Sequence, residues 1–396
     1  MLYPNLSLRS ALLASIIALG FISCSDDDVV PQAPGLRTKI DYTKITPTTP
    51  YKALFIDAKG DTTVDLTSGN MRYRMFQGLN YYLAGAIRET KELDATVMKN
   101  MYANTGNAFV DVPSLGITGS KLNTSGVQLK DKTASSKPTA EAELVRTTLE
   151  GRFTEMAAAS KSVTVPASKG VAGKLGTYLV DAKGIEIAQI IQKGLIGGLQ
   201  LDYISNVLLV KGLEADNRTL VTGTKYTALE HNWDEAYGML TVSVNPVYLA
   251  GSTDLVRGTT EQFLGSYIWE YNKANYAKIH PAFVKGRAAI VNNDAAELKT
   301  QATFLRTEME RAIAKAAVGY LAKWGDATIT DAARAHAIGE GLGFIYSLRF
   351  CSVNGADGAF SDGILLALIG SANGFWDLTP AKITAASDAI VTKFKL

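Results

Sequence analysis

The sequence predicts an all-α fold, a multi-helix bundle arranged as two packed helical lobes. Apolar side chains recur at three- and four-residue steps through most of the chain, and alternating runs rich in β-branched residues are scarce. Hydrophobic residues make up 47% of the 396 residues, enough for a sizeable core. Single cores stop growing near about 250–300 residues, which is why two packed lobes are predicted.

The clearest helix covers residues 296–324, where Leu298, Leu305 and Met309 belong to one apolar stripe between charged side chains. Thr227 and Glu230 form a predicted capping box, and Thr379 is a predicted N-cap. The residue before a proline disfavours helix, so His280 is expected just outside a helix start. The other predicted helices cover 71–100, 139–159, 182–210, 227–240, 261–277, 281–292, 330–350, 361–372 and 380–395.

Three regions depart from this regular pattern. Residues 54–66 alternate weakly and predict a small hairpin. Residues 104–138 are rich in Gly, Ser, Thr, Asn and Lys, which predicts a long excursion or partly mobile loop. Gly194, Gly197 and Gly198 interrupt the apolar helix at 182–210, where they predict the close approach of a neighbour or a break.

The N-terminus predicts an envelope lipoprotein. Residues 1–23 have one charge followed by an apolar run of twelve residues, as in a secretory signal peptide, and the run ends at Cys24 in a sequence that resembles a lipobox. Cys24 is therefore the predicted lipidation site, followed by an acidic, Pro/Thr-rich tether over 24–50 and a helical domain over 51–396. The acidic run after Cys24 indicates either surface export or a solvated spacer on the periplasmic face of the outer membrane.

Charge and cysteine content exclude several classes of protein. The chain has 40 Lys and Arg against 38 Asp and Glu, with no basic block that would indicate a nucleic-acid partner. With Cys24 acylated, Cys351 has no disulfide partner, and its apolar setting predicts an inert buried thiol.

Two short motifs carry the candidate chemistry. Each pairs a histidine with a glutamate four residues later, His231 with Glu235 and His336 with Glu340, on one helix face. If the two helices face each other, all four side chains could bind one ion, iron or another divalent metal. The alternative is local His–Glu pairing in two unrelated helices. The usual signatures of zinc peptidases, serine hydrolases and covalent haem attachment are absent from the sequence.

Residues 226–238 and 336–346, which contain these motifs, resemble the best-defined segments of an uncharacterised (domain of unknown function) family of Gram-negative envelope lipoproteins. Those proteins are distantly similar in style to the imelysin-like lipoproteins, whose genes often accompany iron-uptake systems. The resemblance covers residues from about 51 to the C-terminus and implies a helical, imelysin-like fold and an iron-uptake context. Imelysins have a Gly-x-His-x-x-Glu motif, whereas the spacing here is four in both motifs.

Three functions follow from these observations. The first is a lipid-anchored accessory to iron or haem uptake, held on the membrane by its acyl anchor, which binds a metal or ligand for an outer-membrane receptor. The second is a metal-dependent hydrolase, an imelysin-like peptidase, with Glu235 or Glu340 as general base. The third is a helical interaction module without a small ligand. The lack of catalytic signatures favours a protein that is not an enzyme.

Overall fold

Helices dominate the structure. The computed structural model describes residues 36–245 and 261–396, in which twelve α-helices and one π-helix accompany a single two-stranded antiparallel ribbon. This confirms the prediction of an all-α, multi-helix fold. The α-helices are α1 (Thr67–Arg88), α2 (Ala95–Ala103), α3 (Gly119–Asn123), α4 (Thr139–Ser160), α5 (Ile187–Leu195), α6 (Ala228–Leu240), α7 (Phe263–Tyr271), α8 (Lys273–Asn292), α9 (Ala295–Trp324), α10 (Asp331–Ser347), α11 (Gly358–Ile369) and α12 (Pro380–Phe394). The strands are β1 (Gly173–Leu175) and β2 (Tyr178–Val180), with Gly173 opposite Val180, and the π-helix is Ile196–Leu208.

The long helix α9 lies at the centre of the fold. It packs against α7, α8, α10, α12 and the π-helix. Its predicted apolar stripe is buried, with Leu305 and Met309 fully inaccessible to solvent. Buried apolar side chains form one cluster that extends from Tyr51 to Phe394, so the predicted lobes share a single core.

The glycine-rich helix predicted over 182–210 changes its winding midway. It begins as α5 and continues as the π-helix, a form that is rare at this length. A Cβ atom at Gly197 would lie 2.3 Å from the Cβ of Ser347 at the end of α10. The absence of a side chain at Gly197 therefore permits the close approach of α10, as the sequence predicted.

The signal peptide and Cys24 lie outside the described residues. The described end of the predicted tether, residues 36–50, contacts the helical domain. The backbone N–H of Ile40 donates to Asn292, whose side-chain amide donates back to the Ile40 carbonyl. The His280 imidazole donates to the carbonyl of Thr49. These contacts attach residues 36–50 to α8.

The prediction that His280 lies outside a helix start was wrong. Helix α8 begins at Lys273 and continues through Pro281, although a proline removes one backbone hydrogen bond. The ring of His280 is buried and hydrogen-bonded at both nitrogens, by Tyr237 and by Thr49. Tertiary contacts therefore hold the helix across the proline, against the local preference.

The predicted hairpin at 54–66 is reduced to one bridge between Ile56 and Thr62. The predicted loop at 104–138 contains α3 and two short 3₁₀ turns, and it buries Leu129 and Ala134 completely. The helix predicted over 71–100 is divided into α1 and α2. Cys351 is fully buried without a disulfide partner, and burial raises the pKa of its thiol, as expected for an inert thiol.

Candidate functional site

The first motif begins a helix with the predicted capping box. The Thr227 hydroxyl accepts the backbone N–H of Glu230, and the Glu230 carboxylate accepts the backbone N–H of Thr227. Two of the free N–H groups at the helix start are thereby satisfied. This geometry places the next residues of α6, including Trp233, in the centre of the fold, where Trp233 is fully buried.

The acidic side chains of this motif form a buried ionic network with Arg287 of α8. The Arg287 guanidinium lies 2.8 Å from Glu230 and 3.0 Å from Asp234, and all three side chains are fully buried. Burial opposes ionisation of Glu230, but Arg287 and Arg37 outweigh it and lower its pKa to about 2. For Asp234, burial outweighs Arg287 and raises the pKa to about 6. Tyr51 donates a further hydrogen bond to Asp234 at 2.9 Å.

The predicted pair His231 and Glu235 is not a contact in this structure. Glu235 accepts from Arg72 of α1 at 2.5 Å and from the Tyr203 hydroxyl of the π-helix at 3.0 Å. His231 instead stacks on Tyr226, with ring centroids 4.7 Å apart, and its Nδ1 lies 3.9 Å from Asp65. The carboxylates of α6 therefore bind side chains from α1, α8, the π-helix and the segment before α1. His231 lies partly exposed beside them.

The second pair does come together. Nε2 of His336 lies 3.6 Å from Oε1 of Glu340, within α10. Nδ1 of His336 lies 2.6 Å from Glu186, the N-cap residue of α5, and the ring stacks on Tyr178 at 4.2 Å. The His336 side chain is 28% exposed, so solvent reaches this imidazole between two carboxylates.

These distances assign the proton on the His336 ring. The short contact to Glu186 requires a proton on Nδ1, because a carboxylate only accepts. In the neutral ring, the lone pair of Nε2 then faces Glu340 at 3.6 Å, a distance too long for a hydrogen bond. A lone pair facing a carboxylate is unfavourable unless a positive charge lies there, either a second proton on Nε2 or a bound cation.

Glu340 itself is nine-tenths buried and only partly satisfied. Its Oε1 accepts from Lys193 at 2.9 Å, and the Tyr320 hydroxyl also interacts with this carboxylate, whereas its buried Oε2 makes no hydrogen bond of ordinary geometry among the described residues. Lys193 is fully buried and also donates to Gln189 at 2.5 Å and to Gln192. Burial alone would lower the pKa of Lys193, but Tyr267 and Glu340 raise it overall, so the ammonium stays charged.

The structure thus joins one predicted pair and separates the other. No described contact links His231 or Glu235 to His336 or Glu340. Within residues 36–245 and 261–396, no group of three or more His, Cys, Asp or Glu side chains has the arrangement of a metal site. The prediction that all four side chains bind one ion stays a prediction.

Sequence reasoning missed the partners that complete both clusters, Glu186 and Lys193 at His336, and Arg287 at Asp234. Glu186 and Lys193 come from α5 and its N-cap and Arg287 from α8, between 53 and 150 residues away from their partners in the chain. One indication was available for Lys193, because a lone lysine among the isoleucines and leucines of α5 must find an acceptor when that helix is buried.

Comparisons with known proteins give the family. No helix in the described parts of the chain is long and apolar enough to cross a membrane. No curated protein and no solved structure was found to match the chain. One family profile matches residues 52–396, the region that contains every helix described above, and its description is "Domain of unknown function (DUF4856)". The chain therefore belongs to the DUF4856 family.

Proposed function

We propose that this protein is a lipid-anchored envelope protein that binds iron, as an ion or within haem, as an accessory to uptake, and that His336 and Glu340 are its ligands. The observation that carries the proposal is the 3.6 Å separation of Nε2 of His336 from Oε1 of Glu340, beside a buried Glu340 Oε2 with no hydrogen bond of ordinary geometry. A divalent cation bound by Nε2 of His336 and by the free Oε2 of the Glu340 carboxylate would supply a positive charge at that contact. Glu186 on the opposite ring nitrogen would orient the imidazole, as outer carboxylates do for metal-bound histidines.

The charges of the cluster support a cationic ligand. Two carboxylates, Glu186 and Glu340, face one ammonium, Lys193, so the second negative charge is balanced by a proton on His336 or by a bound cation. Lys193 is held by three acceptors and takes up Oε1 of Glu340, which leaves Oε2 without a hydrogen bond of ordinary geometry. A cation bound by His336 and Oε2 would satisfy this buried oxygen.

Two protein ligands leave several coordination positions open. These positions suit an accessory protein that captures and releases iron, because water or the donor atoms of an iron chelate can fill them. They do not favour a hydrolase. The carboxylate that would act as general base is bound to Arg72 in the case of Glu235 and to Lys193 in the case of Glu340.

Equilibrium dialysis of the metal-free full chain against ferrous ion under anaerobic conditions tests the site. We expect one bound ion per chain, lost in both His336→Ala and Glu340→Gln. The matched control is His231→Ala, which removes a partly exposed, aromatic-stacked histidine with the same downstream glutamate spacing. Haemin titration of the same three variants tests the haem form of the proposal. Equal binding of ferrous ion and of haemin by the wild type and by both site variants would refute the proposed site.

The membrane anchor is tested separately at Cys24. Cys24→Ala should abolish incorporation of labelled palmitate and release the protein from the membrane fraction, because acyl chains alone would hold it there. Protease treatment of intact cells distinguishes the two orientations, since only a surface-exposed protein is cleaved before lysis. Labelled palmitate in the Cys24→Ala variant would contradict the proposed anchor.

A further inference from the structure

A second candidate site lies away from His336, in an open groove between α4, α10, α11 and the segment leading into α5. Its volume is about 640 Å³. Ligand sites commonly measure about 300–1,000 Å³, so the groove is large enough for a small molecule. Six of the aliphatic side chains along the groove are those of Leu144, Ile187, Ile190, Leu342, Leu366 and Ile369.

Part of the groove wall, formed by α11, is apolar surface exposed to solvent. Its sequence, GAFSDGILLALI, is apolar on nearly every side, and a helix of that kind is usually buried all round. Only Ser361, Ile364 and Leu368 are buried in this structure. Leu366 on α11 is 72% exposed and Leu144 on α4 is 68% exposed, the two most exposed large hydrophobic side chains in the described residues.

Polar contacts attach one wall of the groove, α11, to its neighbours. The Ser361 hydroxyl donates to the carbonyl of Ile345 at 2.6 Å, which attaches the start of α11 to α10. Arg349 bonds Asp362 at 2.6 Å and covers the ring of Tyr346 at 3.8 Å. These contacts attach the first turn of α11 to α10 and to the turn that follows it.

The side chains that line the groove indicate the class of ligand that it binds. Tyr346 is the one aromatic residue along the groove, and Arg349 lies over its face, so no flat aromatic wall is available to stack a planar ring. Aliphatic walls instead suit a flexible hydrocarbon chain. Lys183 lines the groove and makes no ion pair within 4 Å with any described residue, although Asp181 of the same lining interacts with it at longer range. Arg152 pairs with Glu155 on the surface of α4, and the other lining carboxylate, Asp362, is paired with Arg349.

We propose that this groove binds an aliphatic chain that ends in an anionic group, with the chain along Leu366 and Leu144 and the anion at Lys183. A fatty acid and a lysophospholipid both have this chemistry. This inference concerns a site other than His336 and does not depend on metal binding.

Fluorescence titration with 11-(dansylamino)undecanoic acid tests the groove. The full chain carries Cys24→Ser in every sample, so that no attached acyl group competes with the probe. We expect Leu366→Glu to weaken binding about tenfold or more, because it places a charge beside the hydrocarbon chain. The matched control is Val110→Glu, at a side chain that is 67% exposed and outside the groove. Since both positions are exposed, neither variant should unfold the protein.

Competition experiments then test the anion and its source. Because the probe is also anionic, its own affinity is measured first in each variant; the inhibition constant of palmitate should then be higher for Lys183→Gln than for the wild type, whereas that of palmityl alcohol should be the same for both. Displacement by palmitate or by lysophosphatidic acid identifies which source binds more tightly. The proposal is overturned if the wild type does not bind the probe, or if Leu366→Glu and Val110→Glu behave alike. It is also overturned if haemin displaces the probe better than both lipids, or if the wild type forms a dimer that Leu366→Glu abolishes.

Discussion

Replacing Arg287 with Met should destabilise the protein strongly, because this guanidinium neutralises two buried carboxylates. Arg287 is fully buried and lies 2.8 Å from Glu230 and 3.0 Å from Asp234. Met preserves most of the side-chain length and apolar stem but removes the charge. Breaking a buried ion pair by removing one partner costs about 3–5 kcal/mol, because the remaining charge is left uncompensated.

The expected change in Tm follows from the size of the domain. About 2.1 cal/mol/K per residue of unfolding entropy, over roughly 345 residues, gives about 0.7 kcal/mol per kelvin. Arg287→Met should therefore lower Tm by about 4–7 °C. The control is Lys285→Ala on the same helix, which removes a partly exposed ion pair with Glu297 and should cost about 1 kcal/mol or less.

The loss of stability in Arg287→Met should also depend on pH. Burial raises the pKa of Asp234 to about 6, above its ordinary 3.8, despite Arg287, and removing Arg287 raises it further. Because the folded pKa is the higher one, protonation of Asp234 favours the folded state, and this contribution grows as pH falls from above 6 toward 4. Glu230 has a pKa near 2 in the wild type, and removing Arg287 raises that pKa too, so its ionised form also contributes less stability in the variant at the higher pH.

The deficit of Arg287→Met relative to wild type should therefore be larger at pH 8 than at pH 5. Urea unfolding followed by circular dichroism at both values, with Lys285→Ala in parallel, measures it. A deficit below about 1 kcal/mol at pH 8 would show that the network is not a source of stability, since that value is typical of a surface pair. A deficit that grows as pH falls would refute the assignment of Asp234.

Two further stability changes follow from helix geometry. Gly197→Ala should destabilise the protein by about 1–3 kcal/mol, because its Cβ would lie 2.3 Å from Ser347. Gly151→Ala in α4, where a Cβ would meet no atom of another element within 4 Å, should stabilise the protein by up to about 1 kcal/mol. Thermal unfolding measures both, and equal shifts in Tm would contradict the close packing at Gly197. Thr227→Ala removes the capping hydroxyl and should cost about 0.5–2 kcal/mol by urea unfolding, and an unchanged midpoint would show that the capping box contributes nothing.

Helical periodicity predicted most of the fold because it records which face of each element is buried. The long helix α9 and the capping box at Thr227 were predicted from local sequence alone and agree with the structure. The break at 89–94 has a local signal, since Asp94 caps α2, whereas the π-helix and the helix through Pro281 make close contacts with distant residues. His280 illustrates this, since its two ring partners are 43 and 231 residues away.

The candidate site could be predicted only in part, for the same reason. Spacing by four places a histidine and a glutamate on one helix face, and this was sufficient for His336 and Glu340, which lie 3.6 Å apart. It was insufficient for Glu235, whose carboxylate is bound by Arg72, 163 residues away. Local spacing determines the face of a helix, but the nearest opposite charge determines where a buried carboxylate points.

The central claim, that a divalent cation binds at His336, is tested most directly by NMR of the imidazole rings. The chain has three histidines, so long-range ¹H–¹⁵N spectra of the full chain should resolve each ring. Added ferrous ion, with zinc as a diamagnetic equivalent, should change the Nε2 signal of His336, while Nδ1 keeps its proton because Glu186 accepts it. His231 and His280 should be unchanged. A response at His231 instead, or at none of the three rings, would contradict the account.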